Sequence, residues 1–255
     1  SVTLPTDAGQ VKNVNFWDAP DAMNIGAFVQ KKDKAETPVQ GAIFKVCLYD
    51  GVYNSVGACP AGQLKKTWYL QSDSEGKVAV NNGHLANAYH ASDSFYTFNN
   101  NVVVPVNCTL TYQEVQAPAG YILDNTVQLW SVNGQTVQMK KMYNDIYPSY
   151  VKVTKISTAN AEMLGLSGYS LEGGEFTVYS DAACTQSVGK VTTDGNGTST
   201  QLQLPCNAKG TYTYYVKETK APNGHKINTD TAHFSVTLPT DAGQVKNVNF
   251  WDDPY

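Results

Sequence analysis

TYQEVQAPAGY at residues 111–121 and YYVKETKAPNGH at residues 214–225 decide how this chain folds. Each is a run rich in Tyr, Val and Thr, the residue types that suit a pleated, half-buried surface. Each then breaks at Ala-Pro-x-Gly, where Pro presets one backbone angle and Gly supplies the positive φ of a turn. Strand, then turn, is predicted at both places.

Three further segments pair in the same order. GAIFKVCLYD (41–50) matches GGEFTVYSDA (173–182), and FVQKKD (28–33) matches VKVTKIS (151–157). QTVQMKKMYND (135–145) matches GQVKNVNFWDD (243–253) as a closing alternating strand. Turns are marked at SEGK (74–77) and TDGNG (193–197). Many short strands at this spacing predict an all-β chain of two tandem Ig-like β-sandwich domains. The expected bounds are 20–147 and 148–255. Residues 1–18, SVTLPTDAGQVKNVNFWD, recur unchanged at 235–252, an offset of 234 residues. So long a period is a domain pair and not a solenoid repeat. Residues 1–18 are therefore expected to be the last strand of a preceding repeat in a tandem array. Residues 83–101, GHLANAYHASDSFYTFNNN, read as an insertion holding a short helix or a long loop.

Composition narrows the function. Of 255 residues only 16% are charged, and the net charge is −4. Nucleic acid is excluded as a partner, because phosphates call for clustered Lys and Arg. No apolar stretch is long enough to insert in a membrane, and no signal peptide is visible. None of the five cysteines lies in a CxxC pair, which speaks against a zinc knuckle. In an extracellular setting disulfides are expected. Cys184 and Cys206 share the second half and would pair there. Cys59 with Cys108 is the preferred pair in the first half, because Cys47 sits within the strand FKVCLY; the partner of Cys47 stays open.

The informative oddity is an ionisable residue on the apolar face of a strand. If Val151 and Val153 face a core, period two places Lys155 there too. The same count puts Glu218 inward with Tyr214 and Val216, and Asp252 inward with Val248 and Phe250. The first half offers Lys31, Glu114 and Asn144 at the matching places. Burial lowers a lysine pKa and raises a carboxyl pKa. A neutral amine is a nucleophile, and a protonated carboxylic acid shuttles protons. An amine held against the carbonyl carbon of Asn or Asp can form an amide, because proximity replaces an activated substrate.

The motifs K-x-[D/S], G-[AG]-x-F and E-x-x-A-P-x-G-[YH], then a last strand ending in Asn or Asp, run through both halves. This pattern resembles the Cna-B/SpaA-type domains of Gram-positive surface adhesins and pilins. The resemblance implies self-generated isopeptide bonds assisted by an acidic residue: Lys31 to Asn144 with Glu114, and Lys155 to Asp252 with Glu218. Lys32 competes with Lys31, and K-x-D favours Lys31. Asp145 competes with Asn144, and the match of MYND to FWDD favours Asn144. The second half carries Ser157 where the family often has Asp, and its Asp252 would release water instead of ammonia.

Other motifs weigh less. LPTDAG (4–9 and 238–243) resembles a sortase signal but has Asp where Thr is needed, so it is expected to be a turn. Asn107-Cys108-Thr109 and Asn196-Gly197-Thr198 fit a glycosylation acceptor pattern that is common by chance. His84, His90, His225 and His233 lack metal-ligand spacing, and no nucleophile-elbow motif joins Ser, His and Asp. No metal, no cofactor and no enzyme activity beyond single-turnover self-crosslinking are expected. The expected function is a structural stalk or fibre segment on the bacterial cell surface, anchored to the wall outside this segment. Its partners would be neighbouring repeats, with a host or cell-surface ligand as an option. The alternatives are a sortase-assembled pilin backbone, an adhesin domain binding through 83–101, and, weakest, a hydrolase. Asp18, the copy of Asp252, would meet Lys155 of another chain if it reacts at all.

Overall fold

Alternating Val, Tyr, Thr and Phe make strands almost everywhere. The computed structural model describes residues 21–134, 137–159 and 161–254, so residues 1–18, Asp18 included, lie outside the described residues. The first half contains β1 (Ala22–Met23), β2 (Ala27–Asp33), β3 (Ile43–Asp50), β4 (Leu64–Gln71), β5 (Lys77–Ala79), β6 (Tyr96–Phe98), β7 (Asn101–Pro105), β8 (Cys108–Gln116), β9 (Gln128–Val132) and β10 (Lys140–Asn144). Its sheets run β10-β2-β5, β4-β3-β8-β9 and β1-β7-β6. Phe28, Val29, Phe44, Val46, Trp68, Leu70, Leu110 and Met142 form one buried cluster between them.

The second half contains β11 (Tyr150–Ser157), a single helical turn α1 (Ala161–Leu164), β12 (Glu175–Tyr179), β13 (Ser187–Thr192), β14 (Leu202–Gln203), β15 (Gly210–Lys220), β16 (Thr231–Leu238) and β17 (Val245–Asp252). Its sheets run β14-β11-β17 and β13-β12-β15-β16. Val151, Val153, Phe176, Val178, Tyr214, Val216, Val248 and Phe250 close over a second buried cluster.

The halves repeat one pairing scheme. The first long strand pairs in parallel with the last: β2 with β10, and β11 with β17. The register is equivalent, because Met142 lies opposite Lys31 and Phe250 opposite Lys155, with Asn144 and Asp252 two residues further along. In the other sheet, Phe44 on β3 pairs with Glu114 on β8, and Phe176 on β12 pairs with Glu218 on β15. Each lysine's main chain is pinned by a tight turn. Lys31 N–H donates to Gly76 O and Lys155 N–H to Gly197 O, both at 2.6 Å. Both glycines sit at φ +74°, and a Cβ on either would collide with the lysine carbonyl oxygen.

The halves also share apolar surface. Val39, Tyr121 and Ile146 come from the first half, yet they are buried in the second half's cluster. Gly120, in the APAG turn, lies so close to Pro239 that no side chain fits between them. LPTDAG at 238–243 is the turn after β16, where the Asp241 carboxylate accepts the Thr237 N–H at 2.8 Å.

Two expectations are corrected. The 83–101 segment opens in a short 3-10 turn, Asn82–His84, and continues as loop, but it also carries a strand that was not expected, β6, which forms a hairpin with β7. Asn99 and Asn100 form the turn with φ of 48° and 63°, the left-handed conformation that Asn tolerates. The proposed disulfides Cys59–Cys108 and Cys184–Cys206 are absent, and all five cysteines are free. Each thiol has other neighbours. Cys59 Sγ lies 3.6 Å from Ser55 O and Cys184 Sγ 3.9 Å from Ala182 O. Cys206 is buried and bonds the Tyr214 and Ser149 side chains, and burial raises the Cys108 thiol.

Candidate functional site

In each half the first long strand supplies a lysine, the facing sheet a glutamate, and the last strand an Asn or Asp. β2 alternates outward and inward, so Phe28 faces one sheet surface while Val29, Lys31 and Asp33 face the other side of the pleat. The inward surface of this strand is covered, so the lysine has no route to water. The Lys31, Glu114, Lys155, Glu218 and Asp252 side chains are 0% exposed, and Asn144 is buried.

In the first half Lys31 Nζ lies 3.2 Å from Glu114 Oε2, and Asn144 Nδ2 donates to Glu114 Oε1 at 2.9 Å. One carboxylate thus bridges amine and amide. Its Oε2 also accepts the Asp124 N–H at 3.1 Å. Asn144 Oδ1 is buried and makes no hydrogen bond. Lys32 points outward to Glu36 at 2.9 Å, and Asp145 is exposed and paired with Lys34 at 2.6 Å. The structure therefore puts Lys31 and Asn144 inside and their sequence neighbours outside.

In the second half Lys155 Nζ donates to Glu218 Oε1 at 2.6 Å and contacts Asp252 Oδ2 directly. Glu218 Oε2 accepts the Asn228 N–H at 2.6 Å. Apart from Lys155 Nζ on Oδ2, no group donates to either Asp252 oxygen. Each lysine also lies over a Phe ring, with Nζ 5.8 Å from the Phe44 centroid and 5.4 Å from that of Phe176.

The electrostatics follow from burial. Desolvation drives Lys31 below the usual lysine range, against the attraction of Glu114. Desolvation likewise raises Glu114, opposed by Lys31, and raises Glu218, opposed by its hydrogen bond with Lys155. In the first half these shifts favour a neutral amine beside a neutral acid, because a low-dielectric interior penalises charge. Such a set can transfer a proton from lysine to glutamate and expose an amine lone pair to a carbonyl carbon.

Several contacts had no signature in the sequence. The N–H groups of Asp124 and Asn228 that hold the glutamates are backbone groups; the only available signal was the ten-residue spacing from each glutamate. Where the first half has Asp33 and Tyr121, the second has Ser157 and His225. The Ser157 hydroxyl lies 2.7 Å from His225 Nε2, and His225 Nδ1 lies 3.0 Å from Asn223 O. Asp33 is fully buried, its Oδ1 accepting the Ala35 and Thr37 N–H groups, both at 2.9 Å. Among the described residues no cluster of His, Cys, Asp and Glu could hold a metal, and no helix is long and apolar enough to cross a membrane.

Comparison with known proteins gives a family match to the second half. Residues 150–251 match the family model SpaA, a prealbumin-like fold domain. No curated protein matches significantly. Among solved structures, the Bacillus anthracis TIE protein is 21% identical over 91% of this chain and 34% of its own, with a TM-score of 0.45. A streptococcal ancillary pilin is 16% identical over 92% of this chain and 63% of its own, with a TM-score of 0.33. BcpA, the major pilin subunit of Bacillus cereus, is 12% identical over 92% of this chain and 99% of its own, with a TM-score of 0.31. The chain spans about a third of the first of these proteins and less than two thirds of the second. The matched segment contains the lysine and glutamate of the second triad and stops one residue short of Asp252. Residues 150–251 are a SpaA/Cna-B-type domain with a prealbumin-like fold.

Proposed function

We propose that this chain is a load-bearing segment of a Gram-positive surface adhesin or pilus, built from two Ig-like sandwiches at about 20–147 and 148–255. Each would be closed by one internal isopeptide bond, Lys31 to Asn144 and Lys155 to Asp252. The observation that carries this is the duplicated triad: two lysines, each enclosed with a glutamate and an Asn or Asp, in the same strand register. A buried ammonium is costly, and condensation converts it to a neutral amide for good. The protein would act as structure and not as a turnover enzyme, held outside the cell among neighbouring subunits.

The first step is a proton transfer from Lys31 Nζ to Glu114 Oε2. The neutral amine attacks Cγ of Asn144, forming the Nζ–Cγ bond. Glu114 then passes a proton from its Oε1 side to Nδ2, the Cγ–Nδ2 bond breaks, and ammonia leaves. Nζ sheds its second proton to Glu114, which ends as a neutral acid beside a neutral amide. In the second half Lys155 Nζ attacks Cγ of Asp252, and a Cγ–O bond breaks. Two protons from Nζ, relayed through Glu218, leave with that oxygen as water.

Intact mass tests both bonds together. Loss of ammonia and water would bring the denatured, reduced chain about 35 Da below its sequence mass. Lys31→Met and Lys155→Met should each abolish one loss. An unshifted wild-type mass would overturn the proposal.

A further inference from the structure

The two triads hold their electrophiles differently. Asn144 has N–H groups, and Nδ2 donates one to Glu114 Oε1 at 2.9 Å, so the glutamate itself fixes the electrophile. Asp252 as a carboxylate has only acceptors, so unlike Asn144 it offers no N–H to its glutamate. Asp252 Oδ2 contacts Lys155 Nζ, and no other group donates to either Asp252 oxygen. The main chain at the end of β17 is held from one side by β11, where Thr158 N–H donates to Asp252 O at 2.9 Å.

Asn228 holds it from the side of the glutamate. Its N–H donates to Glu218 Oε2 at 2.6 Å, and its Nδ2 donates to the carbonyl of Trp251, the residue before Asp252, at 2.9 Å. Its Oδ1 accepts the Asp230 N–H at 2.8 Å, which holds the loop in a side-chain-capped turn. One residue therefore ties the acid, the electrophile strand and its own loop together. Its counterpart Asp124 does less. Asp124 N–H donates to Glu114 Oε2 at 3.1 Å, and Asp124 Oδ1 accepts from the Thr126 N–H at 3.1 Å and the Thr126 hydroxyl at 2.6 Å. As a carboxylate it has no donor to offer a strand carbonyl.

We infer that Asn228 is a positioning residue for the Lys155–Asp252 condensation, fixing both Glu218 and the β17 end that carries Asp252. The inference rests on the crosslinking reading above. It makes the choice of loop residue part of the chemistry. The Asn electrophile is tied to its glutamate by its own N–H, whereas the strand that carries the Asp electrophile is tied to the glutamate's loop by Asn228.

The test uses the full chain, recovered from inclusion bodies in denaturant and started by dilution into refolding buffer. Samples are quenched over time and digested, and the crosslinked peptide from each site is quantified separately by mass spectrometry. Asn228→Ala should slow formation of the Lys155–Asp252 peptide by ten- to a hundredfold, on the order expected for a misplaced reacting group. The Lys31–Asn144 peptide should form at the wild-type rate. Asn228→Asp keeps the Oδ1 acceptor and loses the Nδ2 donor, so it should fall between. Asp124→Asn should leave the first site near its wild-type rate. A merely structural role is read in the Lys155→Met background, where adding Asn228→Ala should barely move the melting temperature. Wild-type kinetics at the second site in Asn228→Ala would overturn the inference, as would equal slowing at both sites. A wild-type chain that never forms the second peptide overturns the crosslinking reading itself.

Discussion

Replacing Lys31 by Met keeps most of the buried stem, removes the amine, and so prevents the first bond. Lys31 and Asn144 are 113 residues apart. A crosslink closing a loop of that size stabilises by about 4.7 kcal/mol through the unfolded chain's lost entropy. A unit of the size of 20–147 melts with about 0.27 kcal/mol/K of entropy, so the lost ring should lower its melting temperature by about 17 °C. The variant also leaves Glu114 buried without its counter-ion. Burial already raises Glu114, against Lys31, and removing Lys31 removes the main opposing attraction. A carboxyl with a raised folded-state pKa binds its proton more tightly folded than unfolded. Its contribution is present below the ordinary glutamate range and is lost as pH rises toward the folded pKa, with a slope of up to about 1.4 kcal/mol per pH unit.

Lys31→Met/Glu114→Gln separates the two effects, since it lacks both the ring and the titrating acid. Calorimetry from pH 5 to pH 8 should show the double variant lowered by about 17 °C with little pH dependence. The single variant should match it near pH 5 and fall further as pH rises. A double variant melting within about 5 °C of the wild type would refute the ring-closure argument. A single variant that gains stability with pH would refute the assignment of a neutral Glu114.

Asp252→Asn turns the second electrophile into an amide, so the bond should still form with ammonia as the leaving group; tandem mass spectrometry should find the identical crosslinked peptide only if the Asn retains its place opposite Lys155. Glu218→Gln removes the proton relay and should leave the second site uncrosslinked by intact mass, while the first site reacts normally. Gly76→Ala and Gly197→Ala each put a Cβ against a lysine carbonyl oxygen at φ +74°. Each should cost about 2–3 kcal/mol through left-handed strain and a weakened strand hydrogen bond, read as a lower urea midpoint.

The triads were legible because a charged residue interrupts an otherwise apolar period. Val151 and Val153 are fully buried, and the next inward position is Lys155 at 1% exposure. Glu218 follows Tyr214 and Val216 by the same count, and Asp252 follows Val248 and Phe250. The β6–β7 hairpin was hidden by its own composition: Asn-Asn at 99–100 reads as loop, although two adjacent left-handed Asn residues make a tight hairpin turn. The cysteines carried no distance information, and an even count in one half does not bring two thiols together. Burial of Val39, Tyr121 and Ile146 in the other half's cluster could not be read from periodicity, which describes one strand's faces and not what lies beyond them.

The strand pairing gives the proposed bonds a mechanical meaning. Each half is entered by its first long strand and left by its last, and those two strands are parallel neighbours. Tension along the chain therefore shears the ladder between them, loading its hydrogen bonds together. With both isopeptides formed, tension passes from residue 31 to 144 and from 155 to 252 without crossing the segments between. The stretch left free to lengthen between the two bonds is the 11-residue step from Asn144 to Lys155. That step is itself anchored. Ile146 is buried in the second half's cluster, and Ser149 Oγ donates to Asp241 O at 2.9 Å. Tyr147 N–H donates to Gly120 O at 3.0 Å, on the turn that Pro239 covers. The shared apolar surface thus does for the connection what the two bonds do for the halves: it leaves little chain that can extend before a covalent path takes the load.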